Sequence, residues 1–329
     1  MLKHQNGNPA RYSSNPDDPK TTMLRYQSLE GVSLANTWLT IGSFDGVHRG
    51  HQEIIRQLVT GARDATATSV AITFHPHPAV VLGKRSNPLF LTTPEERASL
   101  LGELGVDVVV TYPFDTATSQ LSARDFMTRL HHHLGLRRLL VGQDFALGRG
   151  REGNIDRLRE LGQEFGYSVE VISPVLNGDV VISSSQIRSI LLEGDVEHAA
   201  RLLGRCYSVS GQVVHGDDRG KSLGIPTANL SVWTERTIPK AGVYVCRVLV
   251  DGEYWGAVTN IGIRPTFENL PVIPRIEAHL LDFDADIYER QISLEFVSRL
   301  RDEQRFSNIQ SLIQQIHTDI QRAREILQN

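Results

Sequence analysis

The chain has 329 residues, which is enough for about two domains that each enclose a hydrophobic core. Its formal net charge of −4, with 40% hydrophobic and 22% charged residues, argues against bulk attraction to nucleic acid or to an anionic membrane. The two cysteines, Cys206 and Cys246, are too few for a disulfide framework and fit a reducing compartment. Without a run of about 18 apolar residues no membrane span is expected, and we predict a cytoplasmic protein.

The first 22 residues are polar and rich in Asn, Pro, Ser and Asp. They lack the apolar segment that a secretory signal needs. We therefore predict a tail without regular structure over residues 1–22.

Short apolar runs then alternate with amphipathic stretches up to about residue 190. The runs are rich in β-branched residues, as strands buried on both faces are. They are residues 38–42, 69–74, 106–112, 137–142 and 167–173. Helical patterns lie between them at 48–64, 94–104, 122–134 and 154–165, with start signals at Thr93–Pro94 and Ser122. The alternation predicts a parallel sheet with flanking helices in a first domain, residues 23–190.

The pattern changes after about residue 205 to short alternating strands separated by hairpin turns. This spacing predicts a small antiparallel β-barrel over about 205–300. Apolar residues at helical spacing then predict a closing helix over about 307–328. The second domain is predicted to be residues 191–329, and the helical stretch 187–205 that joins the domains is interrupted at Gly194.

The sequence GSFDGVHRGH follows the first predicted strand and opens the first helix. In an open parallel sheet, ligands bind beyond the carboxyl ends of the strands, where a helix N-terminus offers N–H groups to a phosphate. His48 and His51 share one face of the first helical turn. Phosphate chemistry is favoured over a metal pair, which lacks a well-placed third ligand, and over a structural turn, which needs no histidines. The glycines that let backbone approach a bulky anion are Gly42, Gly46 and Gly50.

Two further stretches of the first domain carry polar groups. In ISSSQIR, Ser184 and Ser185 begin a helix and Arg188 lies one turn on, so that hydroxyls and a guanidinium can meet a phosphate. A helix cap beside a surface arginine is the alternative. In TFHPHP the histidines can ligate a metal, but the prolines favour a rigid loop.

The second dense stretch, HGDDRGKSLGIPTANL, combines a glycine-rich loop with a polar strand. Thr227 and Asn229 lie two residues apart and share one face of an extended chain. Two neutral oxygens with phosphate oxygens and waters suit Mg²⁺. A glycine-rich barrel loop without a ligand is an equally good interpretation of this stretch alone.

The motifs together resemble a known family. Gly-x-Phe-Asp-Gly-x-His-x-Gly-His, TFHPHP, VGQDFALGRGREG and ISSSQIR resemble the adenylyltransferase half of bacterial bifunctional riboflavin kinase/FAD synthetases, with Leu147 where phenylalanine is usual. HGDDRGKSLGIPTANL, TNIGIRPTF and IEAHLLDF resemble the riboflavin kinase half. The matched blocks cover about residues 38–306.

The resemblance implies a Rossmann-like nucleotidyltransferase domain followed by a riboflavin kinase barrel. It implies that the barrel uses ATP to phosphorylate riboflavin to FMN, with Glu277 as base and Mg²⁺ on Thr227 and Asn229. The first domain would then adenylylate FMN with ATP to give FAD and pyrophosphate. The residues expected to stabilise that transition state are His48, His51 and Arg188. The other residues expected at ATP or flavin are Gly42, Phe44, Asp45, Gly46, Gly50, Pro76, His77, Asp144, Ser184, Ser185, Gly216, Arg219, Gly220, Gly224, Pro226, Asn260 and Arg264.

Several alternatives stay open at this point. Glu277 can instead pair with Arg275 or Arg264 in a purely structural contact. The chain can be a single transferase with a barrel that only binds, or a flavin carrier without catalysis. Only small molecules are expected as partners, with no nucleic acid and no membrane, and a monomer and a weak homo-oligomer fit equally.

Overall fold

A computed structural model describes residues 10–13, 22–84, 89–216, 224–263 and 274–328. Contacts between residues divide the chain into two compact units. The first comprises Met1–Pro88 and Thr92–Ser183, and the second comprises Leu89–Leu91 and Ser184–Asn329. The division thus falls between Ser183 and Ser184, whereas the sequence predicts a domain boundary between residues 190 and 191.

A seven-stranded sheet forms the centre of the first unit, in the order β1-β2-β5-β4-β3-β6-β7. Only β1 and β2 run antiparallel, and the other neighbouring pairs are parallel. The predicted parallel sheet is therefore confirmed over six strands. The strands are β1 (Ala10–Ser13), β2 (Thr22–Tyr26), β3 (Thr37–Ile41), β4 (Thr68–His75), β5 (Val108–Pro113), β6 (Leu136–Gly142) and β7 (Ser168–Ile172).

The two edge strands β1 and β2 are not predicted by the sequence. β1 lies inside the stretch predicted to be an unstructured tail, and it pairs with β2 residue by residue from Ala10–Arg25 to Ser13–Thr22. β2 in turn lies parallel to β5, and its Met23 is buried. Backbone pairing along the sheet explains why both segments are extended, and burial of Met23 in the core adds to it in β2.

Helices cover both faces of this sheet. They are α1 (Arg49–Asp64), α2 (Pro78–Val81), α3 (Pro94–Glu103), α4 (Thr116–Ser119), α5 (Ala123–Leu134) and α6 (Ile155–Phe165), and a short hairpin of β8 (Leu176–Asn177) and β9 (Val180–Val181) follows. Thr93 and Glu96 form a reciprocal capping box at α3, and Ser122 caps α5 by accepting the N–H of Asp125, as the start signals predict. Alternate residues of β4 enter different cores: Val70 and Ile72 face one cluster, and Ala71 faces the other. Burial on both faces accounts for the continuous apolar runs.

β3 lies at the point where the strand order reverses. The chain continues from β3 to β4 on one side of it and later returns to β6 on its other side. In such sheets the crevice beyond the carboxyl ends of the central strands is the usual ligand site. The loop after β3 occupies this position.

A closed six-stranded antiparallel barrel forms the second unit, in the order β10-β11-β14-β13-β12-β15. Gly194 and Asp195 separate the two helices that precede the barrel, as the sequence predicts. The elements are α7 (Ser184–Glu193), α8 (Val196–Leu203), β10 (Tyr207–Val214), β11 (Ala228–Val232), β12 (Gly242–Val250), β13 (Glu253–Ile263), β14 (Pro274–Leu280), β15 (Gln291–Arg301) and α9 (Ile309–Gln328).

The closing helix α9 packs its apolar side against the barrel. Ala323 is fully buried among valines of β12 and β13, and Ile320 and Leu327 flank it. The buried Asp319 also accepts two N–H groups of Arg301 at the end of β15, with a closest distance of 2.7 Å. The helix predicted at 307–328 is therefore confirmed, and an ion pair adds to its apolar packing.

Candidate active sites

The first candidate site is the loop between β3 and α1. The N–H of Gly42 donates to the carbonyl of Ile72 on the neighbouring strand, which fixes where the loop leaves the sheet. Phe44, Gly46 and Val47 all have positive φ, of 47°, 79° and 41°. A glycine at 46 removes the strain of the most positive of these angles. The loop therefore turns sharply and delivers the next residues to the start of α1.

A buried polar network holds this loop in place. Asp45, 2% exposed, accepts the N–H of Thr92 at 3.1 Å, and the hydroxyl of Thr92 accepts the N–H of Gly46 at 3.1 Å. Arg97, 3% exposed, lies 3.8 Å from the Asp45 carboxylate and donates to the hydroxyl of Thr73 at 3.0 Å. The sequence predicts Asp45 as a ligand-binding residue, and the structure assigns it contacts that support the loop. Thr92 and Arg97 are not predicted, because the sequence indicates only a helix start there.

His48 and His51 form a stacked pair at the N-terminus of α1. Their ring centroids lie 3.7 Å apart with an interplanar angle of 20°, and the Phe44 ring meets His51 edge-on at 5.3 Å. Gly50 lies beside them, and a Cβ there would lie 3.1 Å from Cε1 of His48. The predicted histidine pair is therefore brought together on one face.

The His51 ring is held neutral by its surroundings. Burial, the neighbouring His48 and the Arg97 guanidinium lower the pKa of His51 well below 6.5. Its Nδ1 is buried and has no hydrogen-bond partner among the residues that the structure describes. A neutral imidazole has one N–H donor and one acceptor nitrogen. The neutral His51 and its neighbour His48 thus lie beside a helix N-terminus, an arrangement that can stabilise charge on a phosphate.

Three other predicted residues follow the strands on either side of β3. Pro76 and His77 come directly after β4, and Asp144 comes shortly after β6. The Nδ1 of His77 accepts the N–H of Ala79 at 3.0 Å, so the proton of the neutral ring is on Nε2. Asp144 is exposed, and its carbonyl accepts a guanidinium N–H of Arg151 at 2.8 Å. Parallel strands bring all three residues to the same edge of the sheet as the histidine pair.

Ser184, Ser185 and Arg188 lie in the first turns of α7, within the second unit. Arg188 donates to the hydroxyl of Ser185 at 2.8 Å. Serine hydroxyls, a guanidinium and the helix N–H groups are therefore grouped on one end of the helix, as the sequence predicts. This grouping suits an oxyanion chemically.

The second candidate site is a row of polar residues across three strands of the barrel. Asn229 of β11 lies directly opposite Glu277 of β14, and Glu277 lies directly opposite Asn260 of β13. Thr227 precedes β11 and is two residues from Asn229. A Cβ at Gly216 would lie 2.2 Å from the Asn229 amide, so any other residue there would displace the Asn229 side chain. The register thus brings together residues that are far apart in the sequence.

Arg275 joins this row and is not predicted as a site residue. Its Nε lies 2.6 Å from a carboxylate oxygen of Glu277 and 2.9 Å from the amide oxygen of Asn229. The pair of Glu277 with Arg275, which the sequence leaves open as an alternative, is therefore present. Both side chains remain accessible, at 27% and 28% exposure. The contact is compatible with a ligand that reaches the carboxylate.

Two cavities meet at Thr227. The first, of about 390 Å³, lies between the barrel and α9, and its lining includes Glu277, Asn260 and His279. The second, of about 320 Å³, is lined in part by Pro226 and by the segment from Phe283 to Tyr288. Both volumes are in the range of small-molecule sites. The carbonyl of Pro226 accepts from His279 Nδ1 at 2.8 Å and so fixes the strand segment between the cavities.

The neutral oxygens of Thr227 and Asn229 fit a magnesium ion chemically. Mg²⁺ prefers oxygen ligands and needs few from the protein when phosphate oxygens are available. The amide oxygen of Asn229 already faces a positive group, the guanidinium of Arg275. Within the described ranges, no group of three or more His, Cys, Asp and Glu side chains is placed to hold a metal ion.

Three predicted residues of the barrel domain, Arg219, Gly220 and Arg264, lie outside the described residues. Gly224 has a positive φ of 73° and leads into β11. Asn260 contacts Glu303, with 3.5 Å between the amide nitrogen and the carboxylate.

Comparison with known proteins agrees with this division of the chain. The profile of the FAD synthetase family matches residues 32–186, and the profile of the riboflavin kinase family matches residues 203–327. The bifunctional riboflavin kinase/FMN adenylyltransferase of Pseudomonas fluorescens is 38% identical over 288 residues, which cover 87% of this chain and 92% of that protein. The chain belongs to the bifunctional riboflavin kinase/FMN adenylyltransferase family. Its FAD synthetase part comes first and its riboflavin kinase part second.

Another member of the family and a solved structure are also similar to most of this chain. The Bacillus subtilis protein of the same name is 37% identical over 292 residues, covering 88% of this chain and 92% of its own. A solved structure described as a macrolide-efflux protein from Streptococcus pneumoniae has a TM-score of 0.84 and 28% identity, and covers 92% of this chain and 98% of its own. Among the described residues of the present chain, no helix has the length and apolar character needed to cross a membrane.

Proposed function

We propose that the barrel phosphorylates riboflavin to FMN and that the first unit then adenylylates FMN to FAD, so that the order of the reactions is opposite to the order of the domains. The observation that supports the barrel assignment best is the row of Asn229, Glu277 and Asn260 beside a cavity. A carboxylate next to neutral oxygen ligands is what phosphoryl transfer to an alcohol needs.

In the first reaction, the carboxylate of Glu277 takes the proton of the ribityl 5′-hydroxyl. The hydroxyl oxygen forms a bond to the γ-phosphorus of ATP, and the bond from that phosphorus to the β–γ bridging oxygen breaks. The bridging oxygen leaves with the electron pair as part of ADP. Thr227 and Asn229 would hold Mg²⁺, which supplies positive charge to the phosphates when bound.

The two cavities suggest where the substrates lie. Glu277 lines the cavity against α9, so the hydroxyl that loses its proton, and with it riboflavin, belongs there. Thr227 lines both cavities, so the ATP phosphates would meet the acceptor beside Thr227 with the nucleoside in the second cavity. Gly216 and Gly224 lie on either side of the segment that the resemblance assigns to phosphate binding, and a role of Arg219 and Gly220 in that segment stays a prediction.

In the second reaction, a phosphate oxygen of FMN forms a bond to the α-phosphorus of ATP. The bond from that phosphorus to the α–β bridging oxygen breaks, and pyrophosphate leaves with the electron pair. His48, His51 and the N-terminus of α1 would stabilise charge on the α-phosphate. That Ser185 and Arg188 of α7 also bind phosphate stays a prediction. FMN is itself the nucleophile, so no covalent enzyme intermediate is needed.

The test is the conversion of riboflavin by the purified protein with ATP and Mg²⁺, followed by separation of the flavins over time. The proposal predicts that FMN rises first and FAD follows, and that a chelator of divalent metals stops both steps. If FMN accumulates and FAD never forms, the assignment of the first unit is wrong. If added FMN becomes FAD but riboflavin is not phosphorylated, the assignment of the barrel is wrong.

A cytoplasmic location and a lack of nucleic-acid and membrane partners stay predictions.

A further inference from the structure

One guanidinium nitrogen in the barrel site lies close to two oxygens that the proposed reaction needs for other purposes. The Nε of Arg275 donates to the amide oxygen of Asn229 at 2.9 Å and lies 2.6 Å from a carboxylate oxygen of Glu277. In the proposed reaction the first oxygen binds a divalent cation and the second group receives a proton. Arg275 therefore contacts both the predicted metal ligand and the predicted base.

The position of Arg275 follows from the strand register. Arg275 and Glu277 are two residues apart on β14 and share a face, and Asn229 lies opposite Glu277 on β11. On the other side, the residue opposite Arg275 on β13 is Gly262. The guanidinium donates toward β11, where the predicted metal ligand lies.

A divalent cation and this guanidinium cannot share the amide oxygen of Asn229. Both are positive, and the repulsion between two cations about 3–5 Å apart is strong in a partly desolvated site. Arrival of Mg²⁺ with ATP would therefore displace the guanidinium. The ATP phosphates bring negative charge to the same place, and a guanidinium binds phosphate oxygens through a fork of N–H groups.

We propose that Arg275 occupies the metal position in the barrel site, beside the amide oxygen of Asn229. When the metal binds to Asn229, the guanidinium moves onto the ATP phosphates. The inference rests on the kinase function proposed above. It assigns Arg275 two roles with opposite effects: it competes with the metal before the nucleotide binds, and it stabilises phosphate charge during transfer. A residue with only a structural role has neither effect.

The first arm of the test measures the metal alone. Binding of Mn²⁺ to the nucleotide-free protein is followed through the electron paramagnetic resonance signal of free Mn²⁺. Arg275→Met removes the competing cation, and we expect Mn²⁺ to bind about threefold to fivefold more tightly, the range of a partly exposed ion pair. Arg275→Lys keeps a cation and is expected to bind Mn²⁺ as the wild type does. Arg247→Met, at an exposed position of β12, is the matched control and should change nothing.

The second arm measures riboflavin phosphorylation by the same variants at saturating substrates. We expect the kcat of Arg275→Met to fall by at least about tenfold, the effect of losing one charged hydrogen bond to phosphate. Arg275→Lys should retain part of the lost rate. Conversion of added FMN to FAD should be unchanged in every variant, which shows that the first unit is intact, and Mn²⁺ binding at the barrel site shows that the barrel is folded.

Tighter Mn²⁺ binding together with slower phosphorylation supports the proposal. Unchanged Mn²⁺ binding in Arg275→Met overturns it, whatever the rate, because the guanidinium then does not compete with the metal. An unchanged kcat also overturns it, because the guanidinium then does not act on the phosphates. Failure of the kinase assignment is distinguishable, because the wild type itself would then form no FMN.

Discussion

Two carboxylates of the barrel unit contact arginines at nearly the same distance but in different surroundings. Glu277 lies 2.6 Å from Arg275 with 28% of its side chain exposed, whereas Asp319 lies 2.7 Å from Arg301 with 2% exposed. Solvent reaches the Glu277 side chain, whereas almost all of the Asp319 side chain is excluded from solvent. We therefore assign a chemical role to Glu277 and a structural role to Asp319.

Replacing the Glu277 carboxylate should separate the two reactions. In Glu277→Gln the amide cannot take the proton of the hydroxyl, and we expect riboflavin phosphorylation to slow by about 100-fold to 10,000-fold. Added FMN should become FAD at the wild-type rate. Separation of the flavins after reaction measures both steps, and Glu253→Gln, an exposed change at the start of β13, is the control. Retention of the full kinase rate would show that another group receives the proton.

The low pKa of His51 predicts how stability depends on pH. Its folded-state pKa lies well below the value of 6.5 that we take for the unfolded chain. Between those two values the unfolded state binds a proton that the folded state does not, so the contribution of His51 to stability is present above pH 6.5 and is lost as the pH falls below it. In that range the free energy of unfolding falls by about 1.4 kcal/mol for each pH unit.

Urea unfolding at pH 7.5 and at pH 5.5 measures this effect. Between pH 7.5 and pH 5.5, the free energy of unfolding of the wild type should fall by about 1.4 kcal/mol more than that of His51→Gln. His132→Gln, at an exposed position of α5, should lose as much as the wild type. Equal losses in the wild type and in His51→Gln would show that His51 is not held neutral.

At the scale of elements, α9 is attached to the barrel by one buried and one exposed ion pair. Asp319 of α9 pairs with Arg301 and is 2% exposed, whereas Arg324 of α9 pairs with Asp282 on the surface at 2.6 Å. Leu312 and Ile316, on the same helix, line the cavity proposed for riboflavin. The position of the helix therefore bears directly on the substrate site.

Removing the carboxylate charge from each ion pair gives two variants that can be compared directly. Asp319→Asn leaves a buried guanidinium without its partner charge and should destabilise the barrel by about 3–5 kcal/mol. It should also raise the KM for riboflavin, because α9 forms a wall of that cavity. Asp282→Asn should change neither quantity measurably. Denaturant unfolding and kinase kinetics test this, and equal effects of the two variants would contradict the assignment.

The elements that the sequence predicts well are those with strong local signals. α3 and α5 begin where Thr93 and Ser122 supply caps, and β4 and β6 are continuous apolar runs. β1 and β2 have no such local signal in the sequence. Pairing with neighbouring strands keeps them extended. In the candidate sites, too, the sequence predicts the residues of local motifs but not the contacts between distant segments.

The positions of His48, His51 and Glu277 follow from motifs, whereas the contacts around them do not. The network of Asp45, Thr92 and Arg97 and the contact of Arg275 with Asn229 join residues from separate elements. Only the folded register brings these residues together.

For the whole molecule, we propose that one chain contains two separable catalytic sites. Each site is built from residues that the other does not use. The histidine pair belongs to the first unit and Glu277 to the barrel. A variant that inactivates one site should therefore leave the other intact.

Mixing two inactive variants tests this claim most directly. His51→Ala should form FMN but no FAD, and Glu277→Gln should form FAD only from added FMN. Incubated together with riboflavin, ATP and Mg²⁺, the two proteins should form FAD, because FMN released by the first is the substrate of the second. If each variant keeps its own half-reaction and the mixture forms no FAD, or if either variant loses both steps, the account of two independent sites is contradicted.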